Sequence, residues 1–197
     1  MTKTPMSRKE RSRTLILDSA AAAISEVGYD AMTIDMVAAR AGLTRKTAYN
    51  LFASKEDIAD QLVMRLEAAS EPLYRHRIVA GEDARSLVES ILMDNAGWCL
   101  RNPHLAILAL APRQRPRLDP PEGRPSFQRI VRDGIRLGQA QGAFRSDETA
   151  ELLSMILLGI YAQAMILALG GEVITTDDIA RVIRVIGQGL WVSPDVR

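Results

Sequence analysis

The sequence has few of the residues that build covalent frameworks or metal centres. Its 197 residues include one cysteine, Cys99, and two histidines, His76 and His104. A single cysteine excludes an internal disulfide and favours a reducing, cytoplasmic setting. The three side chains show no metal-ligand spacing. No nucleophile–base pair, paired carboxylates or phosphate-binding loop is recognisable either, so we expect no cofactor and no enzymatic activity.

Excess charge of one sign is also scarce over the whole chain. The net charge is +1, which by itself does not indicate a nucleic-acid partner. The first thirteen residues differ, because they carry five basic side chains and one acidic side chain: Lys3, Arg8, Lys9, Arg11 and Arg13 against Glu10. Such a basic arm can follow a phosphate backbone, although many such arms only increase solubility.

Only one long segment lacks charge. Residues 152–171 contain no charged side chain over about the length that crosses a bilayer. Polar Ser154 and Gln163 and three glycines dilute its apolar character. A helix buried within a helical bundle gives the same pattern, and we favour that interpretation over a membrane span. The start of the chain has no long apolar signal segment.

Apolar residues recur at helical spacing along the chain, and strand-like alternation is absent, so we predict an all-α fold. The predicted helices span about residues 7–27, 33–41, 44–52, 54–70, 83–100, a short stretch after Pro103, 127–141, 147–169 and 176–191. Residues 111–126, rich in proline and arginine, are predicted to form a surface loop. A change of character after Glu71-Pro72 predicts two domains, 1–54 and 55–197, connected by the helix at about 54–70.

The segment from Thr33 to Lys55 predicts two short helices joined by a glycine turn. Thr33 and Thr44 are suitable N-cap residues. Gly42 suits the turn because a residue without Cβ adopts positive φ at little cost. The apolar residues lie on one side of each helix, which is typical of a helix-turn-helix unit packed on a core.

The second of these helices has an outer face suited to a DNA groove. With Ala48 at its inward centre, Lys46 and Asn50 point outward, and Thr47 and Tyr49 lie on the flanks. Basic side chains donate to guanine, asparagine pairs with adenine, and threonine contacts base edges or a thymine methyl. We therefore predict that this face binds double-stranded DNA. Arg45, in the first turn, can swing its long side chain outward.

Residues 15–58 also carry a set of short motifs: Gly28-Tyr29, Thr33-Ile34, Ala41-Gly42-Leu43-Thr44 and Tyr49-x-x-Phe52-x-x-Lys55-Glu56. With these motifs the segment resembles the DNA-binding domain of TetR-family transcriptional regulators. The resemblance implies an N-terminal three-helix domain with a helix-turn-helix, followed by a larger helical bundle for ligand binding and dimerisation.

The resemblance also implies roles for particular residues. Phosphate contacts are expected from Thr33, Thr44, Tyr49 and Lys55, and base contacts from Arg45, Lys46, Thr47 and Asn50. Two positions depart from the family pattern. Lys46 stands where glycine is frequent, and it can add a base or phosphate contact. Leu51 stands where histidine or tyrosine is frequent, so a polar contact that the family commonly makes is in doubt.

In this family the last two helices pair with their copies in a partner subunit, which implies a homodimer. The apolar segment at residues 152–169 agrees, because its own core can cover one side of the helix and a partner the other. A twofold dimer places two reading helices about 34–36 Å apart, which matches successive major grooves of a near-palindromic site.

The remaining helices are implied to enclose a pocket for an unidentified small-molecule effector. The candidate ligand-binding residues combine polar and aromatic side chains within apolar helices: Asn95, Trp98, Cys99, His104, Met155 and Tyr161. Each of them is also compatible with core packing, which is the more frequent role. Cys99 in particular suits a small buried side chain better than a redox sensor.

These features together predict a ligand-responsive transcriptional repressor in the cytoplasm, without a membrane partner. Three alternatives remain open. The chain could be an activator or a ligand-independent DNA-binding protein of the same fold. It could be an enzyme whose helical, apolar active site assembles only in space. It could also be a regulator anchored to a membrane through residues 152–171.

Overall fold

A computed structural model describes residues 6–110, 124–171 and 174–190 of the chain. Within these ranges the chain forms nine helices and no strand, which confirms the predicted all-α fold. The helices are α1 (Arg8–Ala31), α2 (Ile34–Arg40), α3 (Arg45–Leu51), α4 (Lys55–Val79), α5 (Ala84–Arg101), α6 (Pro103–Leu110), α7 (Phe127–Ala140), α8 (Ala150–Leu169) and α9 (Thr176–Leu190). Lys3, residues 111–123 of the predicted loop and Trp191 lie outside the described residues.

The contacts divide the chain into two compact units. The described residues of the first unit are 6–65 and 102–110, which contain α1, α2, α3, the start of α4, and α6. Those of the second unit are 66–101, 124–171 and 174–190. The first unit therefore extends beyond residue 54, where the sequence places the end of the first domain.

The core of the first unit is built around α1. Its buried stripe contains Ile16, Ala20, Ala23 and Ile24, at the spacing that brings residues onto one side of a helix. Both α2 and α6 pack against α1. Gly28 has a φ of 80°, which interrupts the helix at the glycine where the sequence predicts its end.

The fourth helix is longer than predicted. We expect it to stop near Ser70, but α4 continues through Pro72 to Val79. A proline inside a helix lacks the N–H that would bond to the carbonyl four residues earlier, here that of Ala68. Both Pro72 and Ala68 are exposed. Water can therefore satisfy the carbonyl, and the proline does not end the helix.

In the second unit, α7 packs against α5 and α8, and α9 packs against α5 and α8. Two glycines of α7 allow a close approach of neighbouring side chains. A Cβ at Gly134 would lie 2.9 Å from Val88 Cγ2, and a Cβ at Gly138 would overlap the ring of Phe144. Phe144 is among the largest fully buried side chains. This core therefore depends on having glycine, which has no side chain, at these two positions of α7.

One polar side chain ties the start of α5 to the loop before it. Gln141 Oε1 accepts a hydrogen bond from the Ala84 N–H at 3.0 Å. Its Nε2 donates to the carbonyls of Gly81 and Glu82 at 3.1 and 2.9 Å. Gln141 thus satisfies three backbone groups at a helix end, where such groups have no partner within the helix.

The apolar helix α8 is covered on one side only. Its buried residues recur three or four positions apart: Ala150, Leu153, Ser154, Leu157, Tyr161, Ala164 and Met165. Large apolar side chains are exposed on the other side: Met155, Ile156, Ile160, Ile166 and Leu167. Among the described helices, α8 alone is long and apolar enough to cross a membrane. Of an apolar stretch of 18 residues within it, 28% is buried. A single chain therefore covers one side of this helix, as the sequence predicts.

Replacing Gly138 with alanine should destabilise the second unit. The new Cβ would overlap the buried Phe144 ring, and such overpacking costs about 1–3 kcal/mol of the free energy of unfolding. The measurement is urea denaturation followed by circular dichroism.

Gly97→Ala is the matched control on α5. There the new Cβ meets only the guanidinium of Arg101, at 3.2 Å from Nη1. Because that side chain is flexible and alanine favours helices, the free energy of unfolding should be unchanged or rise by up to about 1 kcal/mol. Equal losses in both variants would contradict the close approach of Gly138 and Phe144.

Candidate nucleic-acid interface

The turn between α2 and α3 is built as the sequence predicts. Thr33 caps α2 by accepting a hydrogen bond from the Met36 N–H at 3.1 Å, and Thr44 caps α3 by accepting one from the Thr47 N–H at 3.1 Å. Between them Gly42 has a φ of 66°, a backbone conformation that favours glycine. The caps and the turn fix where the second helix begins and how it leaves the first.

The orientation of α3 follows from one small residue. Ala48 is completely buried, and Phe52 directly after the helix is almost completely buried. Lys46 and Asn50 are exposed, and Tyr49 is 46% exposed. The outward face of α3 therefore carries the polar and basic side chains that the helical spacing predicts. Their contacts with DNA remain a prediction.

Thr47 lies beside this face and is half-buried. Its hydroxyl oxygen is 2.8 Å from that of Thr44, and either oxygen can be the donor. The two hydroxyls therefore position each other at the start of α3. Each keeps further hydrogen-bonding capacity, because a hydroxyl has one hydrogen and two lone pairs.

Arg45 contacts other side chains of the first unit, although its own side chain is 70% exposed. Its Nε lies 3.0 Å from Asp35 Oδ1, which belongs to the first turn of α2. Its Cζ lies 5.5 Å from the centroid of the Tyr49 ring. Arg45 is a predicted base-contact residue, whereas Asp35 was not identified from the sequence. No sequence signal indicates which α2 side chain meets the first residue of α3.

Lys55, at the first position of α4, is also engaged. Its Nζ donates to the carbonyl of Asp30 at 2.9 Å and lies 4.4 Å from the centroid of the Tyr29 ring. The ammonium group has three donors, so one contact with a carbonyl leaves others for a phosphate. The intramolecular contacts hold the charge at the start of α4.

Two basic residues at the start of α1 lie beside the same face. Both lie in the first turn of α1, whose N-terminus is closed by reciprocal hydrogen bonds between Ser7 and Glu10. Side chains of α1 and α3 line a shallow groove of about 340 Å³: Arg8, Lys9, Ser12, Thr47, Asn50 and Leu51. Two cations of α1 thus lie beside the outward face of α3.

Arg13 has a different environment from the other basic residues of this region. Its Nη1 donates to the Leu51 carbonyl at 2.9 Å, and its Nη2 donates to Gln61. The guanidinium also stands over the Phe52 ring, 4.7 Å from the centroid. Arg13 therefore stabilises the end of α3 from within the unit.

Three of the predicted ligand-binding residues meet in the second unit. The Tyr161 hydroxyl lies 2.9 Å from both Asn95 Oδ1 and the Leu92 carbonyl. Cys99 Sγ is 3.7 Å from the same Asn95 oxygen. We call Asn95, Cys99 and Tyr161 the interior polar cluster. Burial raises the pKa of the Tyr161 hydroxyl, and it raises the pKa of the Cys99 thiol to about 11.

The other three predicted ligand-binding residues lie elsewhere. Trp98 is half-buried on α5. Met155 is 46% exposed on the outer side of α8. His104 belongs to the first unit, where its Nδ1 is 3.0 Å from the Ser25 carbonyl. Helical spacing could not separate these positions from the cluster, because it does not specify which helix each face meets.

Two further polar groups in the second unit were not identified from the sequence. Tyr74 donates a 3.4 Å hydrogen bond to Asp94, and burial raises the pKa of the Tyr74 hydroxyl to about 12. Burial also raises the pKa of Glu67, whose Oε1 accepts a 3.5 Å hydrogen bond from the Phe127 N–H. Among the described residues, no three His, Cys, Asp or Glu side chains lie close enough to hold a metal ion.

The outer side of α8 continues onto α9. Val185 is 65% exposed, and with Ile156 and Ile160 it borders an open apolar groove of about 430 Å³. Leu152 and Ile186 also line this groove. We call this surface the α8–α9 face. An apolar surface of this kind on a water-facing helix pair is typical of a protein interface.

Comparisons with known proteins agree with this architecture. Residues 16–62 match the family model described as bacterial regulatory proteins, tetR family. The HTH-type transcriptional repressor KstR2 of Rhodococcus jostii (strain RHA1) is 31% identical over 86 residues, 44% of this chain and 42% of that protein. The match thus spans less than half the length of either protein.

Solved structures resemble a much larger part of the chain. FadR of Thermus thermophilus, a TetR-family repressor in complex with lauroyl-CoA, aligns with a TM-score of 0.72 at 18% identity, covering 94% of this chain and 98% of FadR. SmeT, the repressor of the Stenotrophomonas maltophilia efflux pump SmeDEF, aligns with a TM-score of 0.71 at 17% identity, covering 94% of each chain. At these sequence identities the likeness shows a shared fold and nothing further.

The burial of Cys99 predicts slow alkylation in the folded protein. With a pKa of about 11, roughly one thiol in a thousand is ionised at pH 8. Iodoacetamide should therefore react about 100-fold more slowly with folded than with urea-unfolded protein, and the folded rate should rise as the pH approaches 11. Mass spectrometry gives the labelled fraction directly, because the chain has one cysteine. Cys99→Ala is the unlabelled control, and equal rates in the two states would contradict the burial.

Proposed function

We propose that this chain, in which residues 16–62 form a TetR-family DNA-binding domain, is a transcriptional repressor that binds double-stranded DNA through the outer face of α3. The observation that carries the proposal is the burial of Ala48, which leaves Lys46 and Asn50 exposed. Together with Arg45 and Thr47, they supply the hydrogen-bonding groups that distinguish base edges in a major groove.

Phosphate contacts would fix the register of this helix on the duplex. Thr33 and Thr44 use a hydroxyl oxygen to cap a helix, so Thr33 can still donate its hydrogen to a phosphate. Thr44 can do the same when Thr47 is the donor in their shared hydrogen bond. Tyr49 and Lys55 supply a further hydroxyl and a positive charge. Arg8 and Lys9, beside α3 in the shallow groove, would extend the basic surface along the backbone.

The protein would act as a homodimer joined through the α8–α9 face. One side of α8 is buried in its own unit, whereas Ile156, Ile160 and Val185 are exposed. A second copy would cover these side chains and give the twofold symmetry that a near-palindromic operator requires. This arrangement also removes the physical reason to invoke a membrane span, so we propose a cytoplasmic protein.

An effector would bind in the second unit near the interior polar cluster. A bound small molecule could replace the contacts among Asn95, Cys99 and Tyr161 with contacts to itself. It would release the repressor from DNA only if it binds the DNA-free state more tightly than the DNA-bound state. Activation of transcription by the same protein is the second candidate function.

The first test is DNA binding to the region upstream of the protein's own gene. Wild-type protein should retard this DNA in a gel and protect a near-palindromic site. The logarithm of the binding constant should fall linearly with the logarithm of salt concentration, and Lys55→Ala should reduce that slope by about 0.9 per lost phosphate contact. Failure of a folded dimer to protect any site would refute the proposal.

Two further variants make this test specific. Lys46→Ala removes an exposed cation of α3 without disturbing the Lys55 contacts to Asp30 and Tyr29, and it should also weaken binding. Arg101→Ala is the control, because Arg101 is an exposed cation at the end of α5 in the second unit. Its salt dependence should equal that of the wild type.

The second test concerns the dimer. Val185→Asp places a charge in the α8–α9 face, where burial of an unpaired carboxylate is costly. We expect this variant to be monomeric at micromolar concentration by light scattering and to bind operator DNA much more weakly. Val79→Asp is the matched control at an 80% exposed valine on α4, and it should remain dimeric. A dimeric Val185→Asp protein would place the interface elsewhere.

A further inference from the structure

The carboxylate of Asp35 contacts a side chain that the proposed function uses to read DNA. Asp35 Oδ1 lies 3.0 Å from Arg45 Nε, and the two side chains are 50% and 70% exposed. The Arg45 guanidinium also stands over the Tyr49 ring, with Cζ 5.5 Å from the centroid. One edge of the guanidinium is therefore held by a carboxylate from α2, and one face lies against an aromatic ring of α3.

This contact leaves a defined part of Arg45 available. A guanidinium has five N–H donors, one on Nε and two on each Nη. Because Asp35 forms its ion pair at the Nε edge, the two Nη groups remain as a planar fork. That fork matches the O6 and N7 acceptors of guanine, the commonest specific pairing of arginine with a base.

We propose that Asp35 is a positioning residue that sets the base preference of Arg45, so that Arg45 selects guanine in each half of the operator. The inference rests on the proposed function, because it assigns a role within the same DNA-binding face. Asp35 itself need not contact DNA. It acts by restricting the orientations of a long side chain that would otherwise sample many.

The alternative role for Asp35 is a contribution to folding stability, and that contribution is expected to be small. An exposed ion pair contributes little to folding, and a carboxylate in the first turn of α2 also interacts favourably with the positive end of that helix. Either effect would change the melting temperature and leave base preference unaltered. A carboxylate close to DNA also repels phosphates, so its removal alone should raise affinity for every sequence. Base preference therefore distinguishes positioning from both effects.

The experiment selects binding sites from a pool of randomised duplexes, using the full-length wild-type dimer. The variants are Asp35→Ala, Asp35→Asn, Arg45→Ala and the double variant Asp35→Ala/Arg45→Ala. Binding constants are then measured for the selected site and for single substitutions at each of its positions. Glu26→Ala is the matched control, because Glu26 is an exposed carboxylate that pairs with a different arginine, Arg40 of α2.

For the wild type and Glu26→Ala we expect guanine to be preferred at one symmetric position of each half-site, by about 5- to 150-fold. Arg45→Ala should abolish this preference. Asp35→Ala should remove most of it, while binding to unselected duplexes stays equal or rises. Asp35→Asn, which keeps an acceptor oxygen without the charge, should be intermediate. In the Arg45→Ala background, Asp35→Ala should have no further effect on base preference.

Three results would overturn the positioning role. They are an undiminished guanine preference in both Asp35 variants, a uniform change in affinity at every position, or an equal effect of Asp35→Ala with and without Arg45. If Asp35→Ala does not fold, Asp35→Asn carries the same comparison. A wild-type dimer that selects no sequence would overturn the proposed function and the role of Asp35 with it. A selective wild type with unchanged Asp35 variants would overturn the role of Asp35 alone.

Discussion

The side chains that α3 presents outward depend on the burial of Ala48. A methyl group fits where a larger side chain would push the helix away, and Ala48 is completely buried against the first unit. Rotation of α3 by one residue position would turn the helix by about 100° and bury a polar group. The burial of Ala48 therefore determines which residues face outward, and Thr44, Gly42 and Arg13 fix where the helix starts and ends.

Two basic side chains at the outward face of α3 and the start of α4 make contacts within the first unit. Arg45 contacts Asp35 and Tyr49, and Lys55 contacts Asp30 and Tyr29. Long basic side chains lose rotamer freedom when they bind, and contacts made before binding reduce that loss. The structure thus places two cations in defined positions, which would favour selectivity in the proposed contacts with DNA.

Apolar side chains of the second unit have two different environments, a packed interior and an exposed outer surface. Its interior is tightly packed, since Gly134 and Gly138 bring α7 against bulky neighbours, and Tyr161 inside it bonds to Asn95. Its outer surface at α8 and α9 instead leaves Ile160 and Val185 exposed. The proposed dimer would cover this outer apolar surface.

The sequence by itself determined the helical fold, most helix ends and the polar face of α3. These features are local, because caps, glycine turns and helical periodicity act within a few residues of the same chain. It also indicated that one side of α8 would be covered. The continuation of α4 through Pro72 was not predicted, because the cost of a proline depends on whether water reaches the carbonyl of Ala68.

Only the tertiary structure decided which distant residues meet. It paired Asp35 with Arg45, joined Tyr161 to Asn95 across the second unit, placed α6 and His104 in the first unit, and left Met155 on an outer surface. These outcomes depend on how helices rotate and pack against one another. Periodicity gives each helix an apolar side, but many partners can cover that side, and only the packed core selects among them.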